Sequence, residues 1–395
     1  MNLKLSVPNN WQEDLLPVLK EKRDSISEAY GKLPADFVGG GRPSYSFLPI
    51  SIKKAGDYIK RIHAIGIGFN YLLNSTCLNN LEWQRPGNKR LLRLVDWLAE
   101  NNVDSVTVAI PYLLEVVKKR CPHIKVTVST AGRVDSVERA KFWEGLGADR
   151  ITLSSIDANR NFPMLRKIRG SVRCKLRLIA NVGCMYNCAI HMYHCALLSH
   201  SSQNFVANRF AVDYSYIDCS YRRILEPVNL VRSDWIRPED VHYYEEIGID
   251  ELKLVDRNMP TSAISLILDA YINRRYEGNL LDLFPSQKKT LMVQKLGIFH
   301  KLKFFFRPFD INILRLARAR ELSFDIFYMD NRKLDGFIDY FIRHDCRSSS
   351  CRECGYCYKV ARDVIRTDGK LRQEAIKKYE SYLSNIVSGK IFRYW

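Results

Sequence analysis

Residues 181–200 read NVGCMYNCAIHMYHCALLSH and hold three cysteines and three histidines. Cys184, Cys188 and Cys195 fall within twelve positions, a density of soft donors for which a hydrophobic core has no use. Thiolates select iron–sulfur clusters or zinc over harder ions. Cys184-x3-Cys188 is wider than the paired cysteines of zinc ribbons. His191 stands where a third cysteine would complete a C-x3-C-x2-C run, so radical adenosylmethionine chemistry is not expected. A second group, CRSSSCRECGYC, places Cys346, Cys351, Cys354 and Cys357 at spacings x4, x2 and x2. Four cysteines in twelve positions with two CxxC steps are a metal signature, and zinc and a second iron–sulfur cluster both suit it. These four sulfurs are expected around one shared centre. A redox pair at Cys351 and Cys354 leaves the other two without a role. Cys121 and Cys174 have no such company and read as inert buried thiols.

The elements that must position these donors alternate strand and helix. Apolar strand runs lie at Leu3–Val7, 64–74, 105–110, 124–129, 150–155, 174–183 and in DELKLV (250–255), and helix-like runs follow them. Pro111 sits at a favoured first helical position. Asp135 is expected to cap the next helix and Gly147 to end it. Short links between β and α segments imply a parallel sheet with right-handed crossovers. Six to eight such units fit before residue 280, so a TIM-like (β/α) barrel is the expected architecture, with a doubly wound open sheet as the second choice. In a barrel, functional residues gather at the C-terminal ends of strands. Cys184 lies just past the strand 174–183 and Cys77 just past 64–74, which brings both to one face. Cys219 ends the long excursion 199–233, and excursions of that length inside a compact domain are usually functional. Lys253 and Arg257 flank the end of DELKLV, where they would hold an anionic substrate. From about residue 281 the alternation fades. The expected organisation is therefore a barrel over 1–280 and a helical, cysteine-rich region over 281–395.

The chain has 395 residues, 61 Lys and Arg against 43 Asp and Glu, a net charge of +18, and 46% hydrophobic residues. That excess favours an anionic partner such as RNA. Part of it is local: Lys288 to Arg320 is basic and interrupted by Phe304, Phe305 and Phe306, a pattern that serves base stacking or, more plainly, a helical surface packing its rings inward. The N-terminus has no signal pattern and no apolar run is long enough to cross a bilayer, so a soluble, cytoplasmic protein is expected. In that compartment eleven cysteines are thiols or metal ligands rather than disulfides. Neither H-E-x-x-H nor G-x-S-x-G occurs, so a conventional hydrolase has no visible machinery. VGGGRPS (38–44) lacks the G-x-G-x-x-G form and reads as a turn.

Several segments together, FNYLLNSTCLNNLEW, VTVAIPYLLEVVKKRCP, NVGCMYNC with HCALLSH, WIRPEDVHYYEEIGIDELKLVDR and RRYEGNLLDL, resemble the collagenase-like peptidase family U32. The resemblance covers about residues 1–280 and implies a TIM-like barrel. It further implies a [4Fe-4S] cluster on four cysteines and oxygen-independent hydroxylation of RNA or of a small aromatic substrate, by the chain itself or by a partner subunit of the same family that it assists. The family name instead implies a protease. Cys188 and Cys195 keep the family's seven-residue separation, and Cys219 corresponds to a third ligand ahead of an arginine. Cys184, Cys188 and Cys219 form the core set, and Cys195 and Cys77 compete for the remaining place. His194 is expected beside the cluster. Lys253 to Arg257 correspond to a Lys-Ile-Glu-Gly-Arg segment of the family, with Val255 and Asp256 in place of Glu and Gly.

Overall fold

The structure, a computed structural model, describes residues 3–205, 213–284 and 326–392. The basic run 288–320 lies outside the described residues. Eight parallel strands close a barrel in sequence order: β1 (Lys4–Pro8), β2 (Ile26–Gly31), β3 (Gly68–Leu73), β4 (Ser105–Val108), β5 (Lys125–Val128), β6 (Arg150–Thr152), β7 (Lys175–Ile179) and β8 (Glu251–Lys253), with β8 pairing back to β1 through Ser6 and Lys253. Helices α1 (Leu15–Glu21), α2 (Ile52–Ala64), α3 (Arg85–Glu100), α4 (Pro111–Arg120), α5 (Val137–Gly145) and α6 (Phe162–Ser171) each follow one strand. After β7 come four helices, α7 (His191–His200), α8 (Tyr214–Leu225), α9 (Val228–Arg232) and α10 (Val241–Ile247), before α11 (Thr261–Asn273) follows β8. The barrel is thus the TIM-like fold that the alternation predicts.

Local chemistry starts the helices. Pro111 opens α4, where its missing N–H costs nothing. Ser136, not Asp135, caps α5: its hydroxyl accepts the Arg139 N–H at 3.3 Å, and the helix closes at Gly145, ahead of Gly147. Asn161 caps α6 by accepting from Met164 N at 3.1 Å. The strand predicted over 64–74 begins later, because 52–64 is helical and only Gly68–Leu73 pairs.

The strand pattern missed β2, whose sequence ISEAYG shows no apolar run. Its Glu28 points into the barrel, and the barrel interior is ionic. Arg177 Nη2 donates to Glu28 Oε1 at 2.6 Å and to Glu251 Oε2 at 2.6 Å. Arg150 reaches Glu28 at 2.7 Å and Glu251 at 3.2 Å. Ser6 and Ser105 hydroxyls donate to the same Glu28 carboxylate at 2.9 and 3.1 Å. The apolar side chains of the strands instead face the helices, where Leu5, Val7, Phe69, Val106, Val126, Ile151 and Leu178 are fully buried. Burial alone would raise the Glu28 carboxyl, but Arg177 and Arg150 overcome it and hold the group well below the usual carboxylate range.

Residues 326–392 carry a two-stranded antiparallel sheet, β9 (Phe327–Met329) with β10 (Ile365–Thr367), and four helices, α12 (Asp339–Arg343), α13 (Cys351–Cys354), α14 (Tyr356–Val364) and α15 (Gly369–Val387). Their apolar residues belong to the barrel's own hydrophobic core. Arg372 donates to the carbonyls of Ile224 and Leu225 at 2.8 Å, and Tyr379 stacks on Tyr221 at 6.3 Å, which seats α15 on α8. Arg160 of the β6–α6 loop lies under the rings of Trp235 and Phe337 at 4.2 and 4.8 Å.

Replacing Glu28 with Gln leaves two buried guanidinium groups short of a counter-charge, and a loss of about 3–5 kcal/mol of stability is expected in denaturant titration. The pH dependence has a definite sign. A carboxyl with its folded value depressed contributes stability above its unfolded value, about 4.3, and loses it as pH falls below that. Wild-type stability should therefore fall between about pH 5 and pH 3 more steeply than that of Glu28→Gln; parallel curves would show that Glu28 is not ionised in the fold.

Candidate functional site

Strand β7 ends at Ile179, and Asn181 pins the chain just beyond it by accepting the Val255 N–H at 2.7 Å and donating to the Leu283 carbonyl at 2.9 Å. Cys184 and Cys188 lie in the loop that follows, Cys195 lies on α7, and Cys219 lies on α8. Arg223, one turn beyond Cys219, ties these pieces together. Its Nη1 is 3.5 Å from Cys219 Sγ, and its Nη2 donates to the Gly183 carbonyl. The four thiols share one electrostatic environment. Burial pushes the Cys184 thiol up to about 11, opposed by Arg223 and Arg42 and reinforced by Cys219 and Cys188. Burial pushes Cys195 up to about 12, with Cys184 and Cys188 adding to it and Arg42 and Arg133 opposing. Cys219 is raised by burial and opposed by Arg223, and it feels Cys188 as well. Among the described residues no three Cys, His, Asp or Glu side chains meet as closely as a single ion requires.

Cys77 stands apart from this group. Its sulfur accepts the Asn79 N–H at 3.4 Å, and its carbonyl is held by Ser75 and Gln203 at 2.7 and 2.6 Å. Its loop touches α7 through Thr76 N and the Ser199 hydroxyl at 3.1 Å, one turn past Cys195. Of the two competitors for the last place, Cys195 is the one on which Cys184 and Cys188 act.

The histidine that touches a thiol is His191, not His194. A ring nitrogen of His191 lies 3.8 Å from Cys195 Sγ, and the ring is held neutral, down to about 4, by burial and by the charges of Arg133 and His194. His194 pairs with Asp213 at 3.1 Å, and Asp213 in turn acts on Cys219. Helical spacing explains the difference: His191 and Cys195 are four residues apart on one face of α7, whereas His194 is adjacent to Cys195 and faces elsewhere. The Cys195–His191 contact does not make a nucleophilic pair. Attack needs a thiolate with a depressed pKa, and here burial drives the thiol up and the imidazole down.

Lys253 and Arg257 reach the same mouth. Lys253 extends β8 into the barrel above the ionic layer, with its Nζ 3.8 Å from the centre of the Tyr30 ring. Burial, together with the nearby charges of Arg177, Arg257 and Arg150, drives its amine well below the ordinary lysine value, Glu28 opposing. Arg257 lies over the Phe47 ring at 4.6 Å and donates to the Lys32 carbonyl at 3.4 Å. Arg42 bonds Asp256 and also acts on Cys184, so it links the β8 end to the cysteines. Arg42 sits in the segment that reads as a plain glycine turn. That turn packs against α7: the Gly40 N–H donates to the Ser202 hydroxyl at 2.8 Å. A Cβ at Gly39, whose φ is +78°, would meet the Ser199 carbonyl at 2.5 Å. Arg42 and Arg133 carry no sequence signal, because each reaches the thiols from a loop distant in the chain.

The second cysteine set is close by. Cys346, Cys351 and Cys357 line one cavity of about 380 Å³, open to solvent on one side, with Asp157, Arg160, Tyr186, Arg232 and Arg347. Cys354 lies beside them on α13, where it meets the Tyr340 hydroxyl at 3.1 Å. All eleven cysteines are free thiols. Among the described residues no helix is long and apolar enough to cross a membrane.

Comparison with known proteins identifies the family. Residues 57–180 match the family model described as Peptidase family U32. A relative described as the uncharacterized protease MJ1657 of Methanocaldococcus jannaschii is 30% identical over 349 residues, which cover 88% of this chain and 91% of that protein. The chain belongs to peptidase family U32. Among solved structures, the U32 peptidase Mk0906 is similar to this family member at 22% identity with a TM-score of 0.48, over 65% of this chain and 93% of that one.

The lowered proton affinity of Lys253 has a measurable consequence. Its folded value lies below the unfolded one, about 10.4, so between the two the unfolded chain binds one more proton and stability rises with pH. Replacing Lys253 with Met removes that proton. Between pH 7 and pH 10 wild type should gain stability relative to Lys253→Met by up to about 1.4 kcal/mol per pH unit, read from denaturant midpoints. A difference that does not change with pH would mean that Lys253 is charged in the fold.

Proposed function

We propose that this U32 protein is an iron–sulfur-dependent modifying enzyme of the oxygen-independent hydroxylation type. Its substrate would be an anionic one, an RNA base or a small aromatic molecule. The observation that carries the proposal is the gathering of Cys184, Cys188, Cys195 and Cys219 at the barrel mouth within reach of Arg42, Arg133 and Arg223. These residues fit a [4Fe-4S] cluster. Four thiols act on one another, and the buried Nε donors of Arg133 and Arg223 have no partner of their own, as suits positions facing added acceptors and negative charge. Bound there, a cluster would supply one-electron transfer.

The chain's own residues do the rest. Arg223 holds the Gly183 turn against α8, which sets two ligand-bearing segments in register. His191 packs against Cys195, and Arg42 offsets thiolate charge while anchoring Asp256. Arg257 offers a cation at the mouth, already braced against Phe47, and Lys253 offers an amine of lowered proton affinity, the kind of group that can exchange a proton with bound substrate. The peptidase reading rests on the names borne by relatives. The Cys195–His191 pair, with its raised thiol, argues against a cysteine nucleophile.

Protein prepared without air should be brown, with broad absorption near about 400 nm that fades on exposure to oxygen. Cys184→Ala with Cys188→Ala should remove the share of iron and sulfide held by the barrel, and Cys195→Ala should lower it where Cys77→Ala does not. Hydrolysis of gelatin or casein that survives Cys184→Ala would overturn the reading in favour of a peptidase. An RNA substrate would show binding that weakens steeply with salt.

A further inference from the structure

The tail cysteines do not form a detached knot. The cavity that Cys346, Cys351 and Cys357 line is walled on its other side by the barrel, through Asp157 and Arg160 of the β6–α6 loop, Tyr186 of the β7–α7 loop and Arg232 of α9. The four thiols sense one another. Burial raises Cys346, and Cys351 and Cys354 add to it; burial pushes Cys357 up to about 11, with Cys346 and Cys351 adding and Arg160 and Arg232 opposing. Three guanidinium groups, Arg160, Arg232 and Arg347, line the same space. The Nε donors of Arg160 and Arg232 are buried without a partner, although Arg160 is only 5% exposed. Buried donors left open beside four thiols fit added acceptors and negative charge.

The arrangement also suits one class of centre over another. A single zinc ion holds four sulfurs at about 2.3 Å each and pulls them to a point. Here Cys346, Cys351 and Cys357 line an open cavity while Cys354 meets Tyr340, and among the described residues no three of these donors converge as one ion would draw them. Cys346-x4-Cys351-x2-Cys354 is also the spacing with which plant-type iron–sulfur ligand runs begin. The Tyr340 hydroxyl at 3.1 Å from Cys354 Sγ is the kind of hydrogen bond to sulfur that tunes a cluster. Tyr340 is itself stacked on Tyr356 at 4.0 Å, and the capping box of Ser350 with Glu353 fixes the start of α13.

Two contacts join this place to the barrel thiols. Tyr186 sits between Cys184 and Cys188 in sequence and feels both Cys346 and Cys351. The Asp157 carboxylate forms ion pairs with Arg347 at 3.6 Å and with Arg133 at 3.7 Å, and Arg133 acts in turn on Cys195. We propose that Cys346, Cys351, Cys354 and Cys357 hold a second iron–sulfur centre, docked on the β6–α6 and β7–α7 loops next to the barrel thiols. The centre stands without the barrel cluster; only its magnetic interaction with that cluster rests on the function proposed above.

The experiment uses the full chain prepared without air, in three forms: wild type, Cys184→Ala with Cys188→Ala, and Cys351→Ala with Cys357→Ala. Iron, sulfide and zinc are measured in each. The barrel variant should keep about half of the wild-type iron and sulfide, and the tail variant should lose about half. After reduction by dithionite, wild type should give an electron paramagnetic resonance spectrum broadened by interaction of two neighbouring spins, and each double variant a simple one. A barrel variant with zinc in place of iron, or with no iron, overturns the second centre. So does a tail variant that keeps all of the wild-type iron. If the tail variant does not fold, the iron and the spectrum of the barrel variant decide alone. A barrel variant that keeps all of the wild-type iron refutes the barrel cluster while the tail centre stands.

Discussion

The ionic layer inside the barrel is the constraint on which the rest of the molecule depends. Two carboxylates, Glu28 and Glu251, and two guanidinium groups, Arg150 and Arg177, meet across four strands with nearly no access to water. Such a layer is worth little over a well-packed apolar one, but it is costly to leave incomplete. Its geometry therefore selects one register: each of β2, β6, β7 and β8 must present its charged residue at the same height. The polar interior also decides which faces of the strands are apolar. Leu5, Val106, Val126 and Leu178 turn outward to the helices, so hydrophobic burial closes the helical ring while charge closes the barrel. Above the layer, burial lowers the proton affinity of the Lys253 amine, and three arginines add to that against one glutamate.

The mouth is built by loops that this framework holds apart and the segment after β7 joins. Four helices occupy the place of one between β7 and β8, and two of them, α7 and α8, carry cysteines. Because Cys219 and Arg223 share a helix face one turn apart, the same helix supplies a thiol and the cation that offsets it. Arg42 and Arg133 approach from the β2–α2 and β5–α5 connections, so cations from three separate parts of the chain meet thiols of the β7–α7 loop, α7 and α8. The family to which the chain belongs is named for peptidases, and its mouth in this chain is furnished with thiols and with Nε donors of Arg133 and Arg223 that have no partner.

The tail extends the same logic. Phe337, Phe341 and Tyr356 pack with Trp235 and Arg160, so the second cysteine group is seated by aromatic burial rather than by its own short helices. Arg347 then completes an ion triad with Asp157 and Arg133. A tail with so small a core of its own takes its position from the barrel, which explains why apolar residues of the two regions belong to one cluster.

Seven of the eight strands, the barrel closure and the cysteines worth examining were legible in the sequence, because apolar runs, proline and glycine punctuation and cysteine spacing are local signals. β2 was not, since Ser27 and Glu28 interrupt its apolar run and only partners on β6 and β7 make a buried glutamate tolerable. The choice of Ser136 over Asp135 as a cap turned on backbone angles that composition does not reveal. His191 displaced His194 because helix phase relative to Cys195, not the number of histidines, decides contact. The separation of Cys77 from the other thiols, and the arrival of Arg42 and Arg133 beside them, are outcomes of where loops cross in space. The sequence by itself determined the fold, through patterns a few residues long, and marked which cysteines stand close in the chain. Only the tertiary structure decided which cations face them, because Arg42 and Arg133 arrive from loops far from the cysteines in sequence.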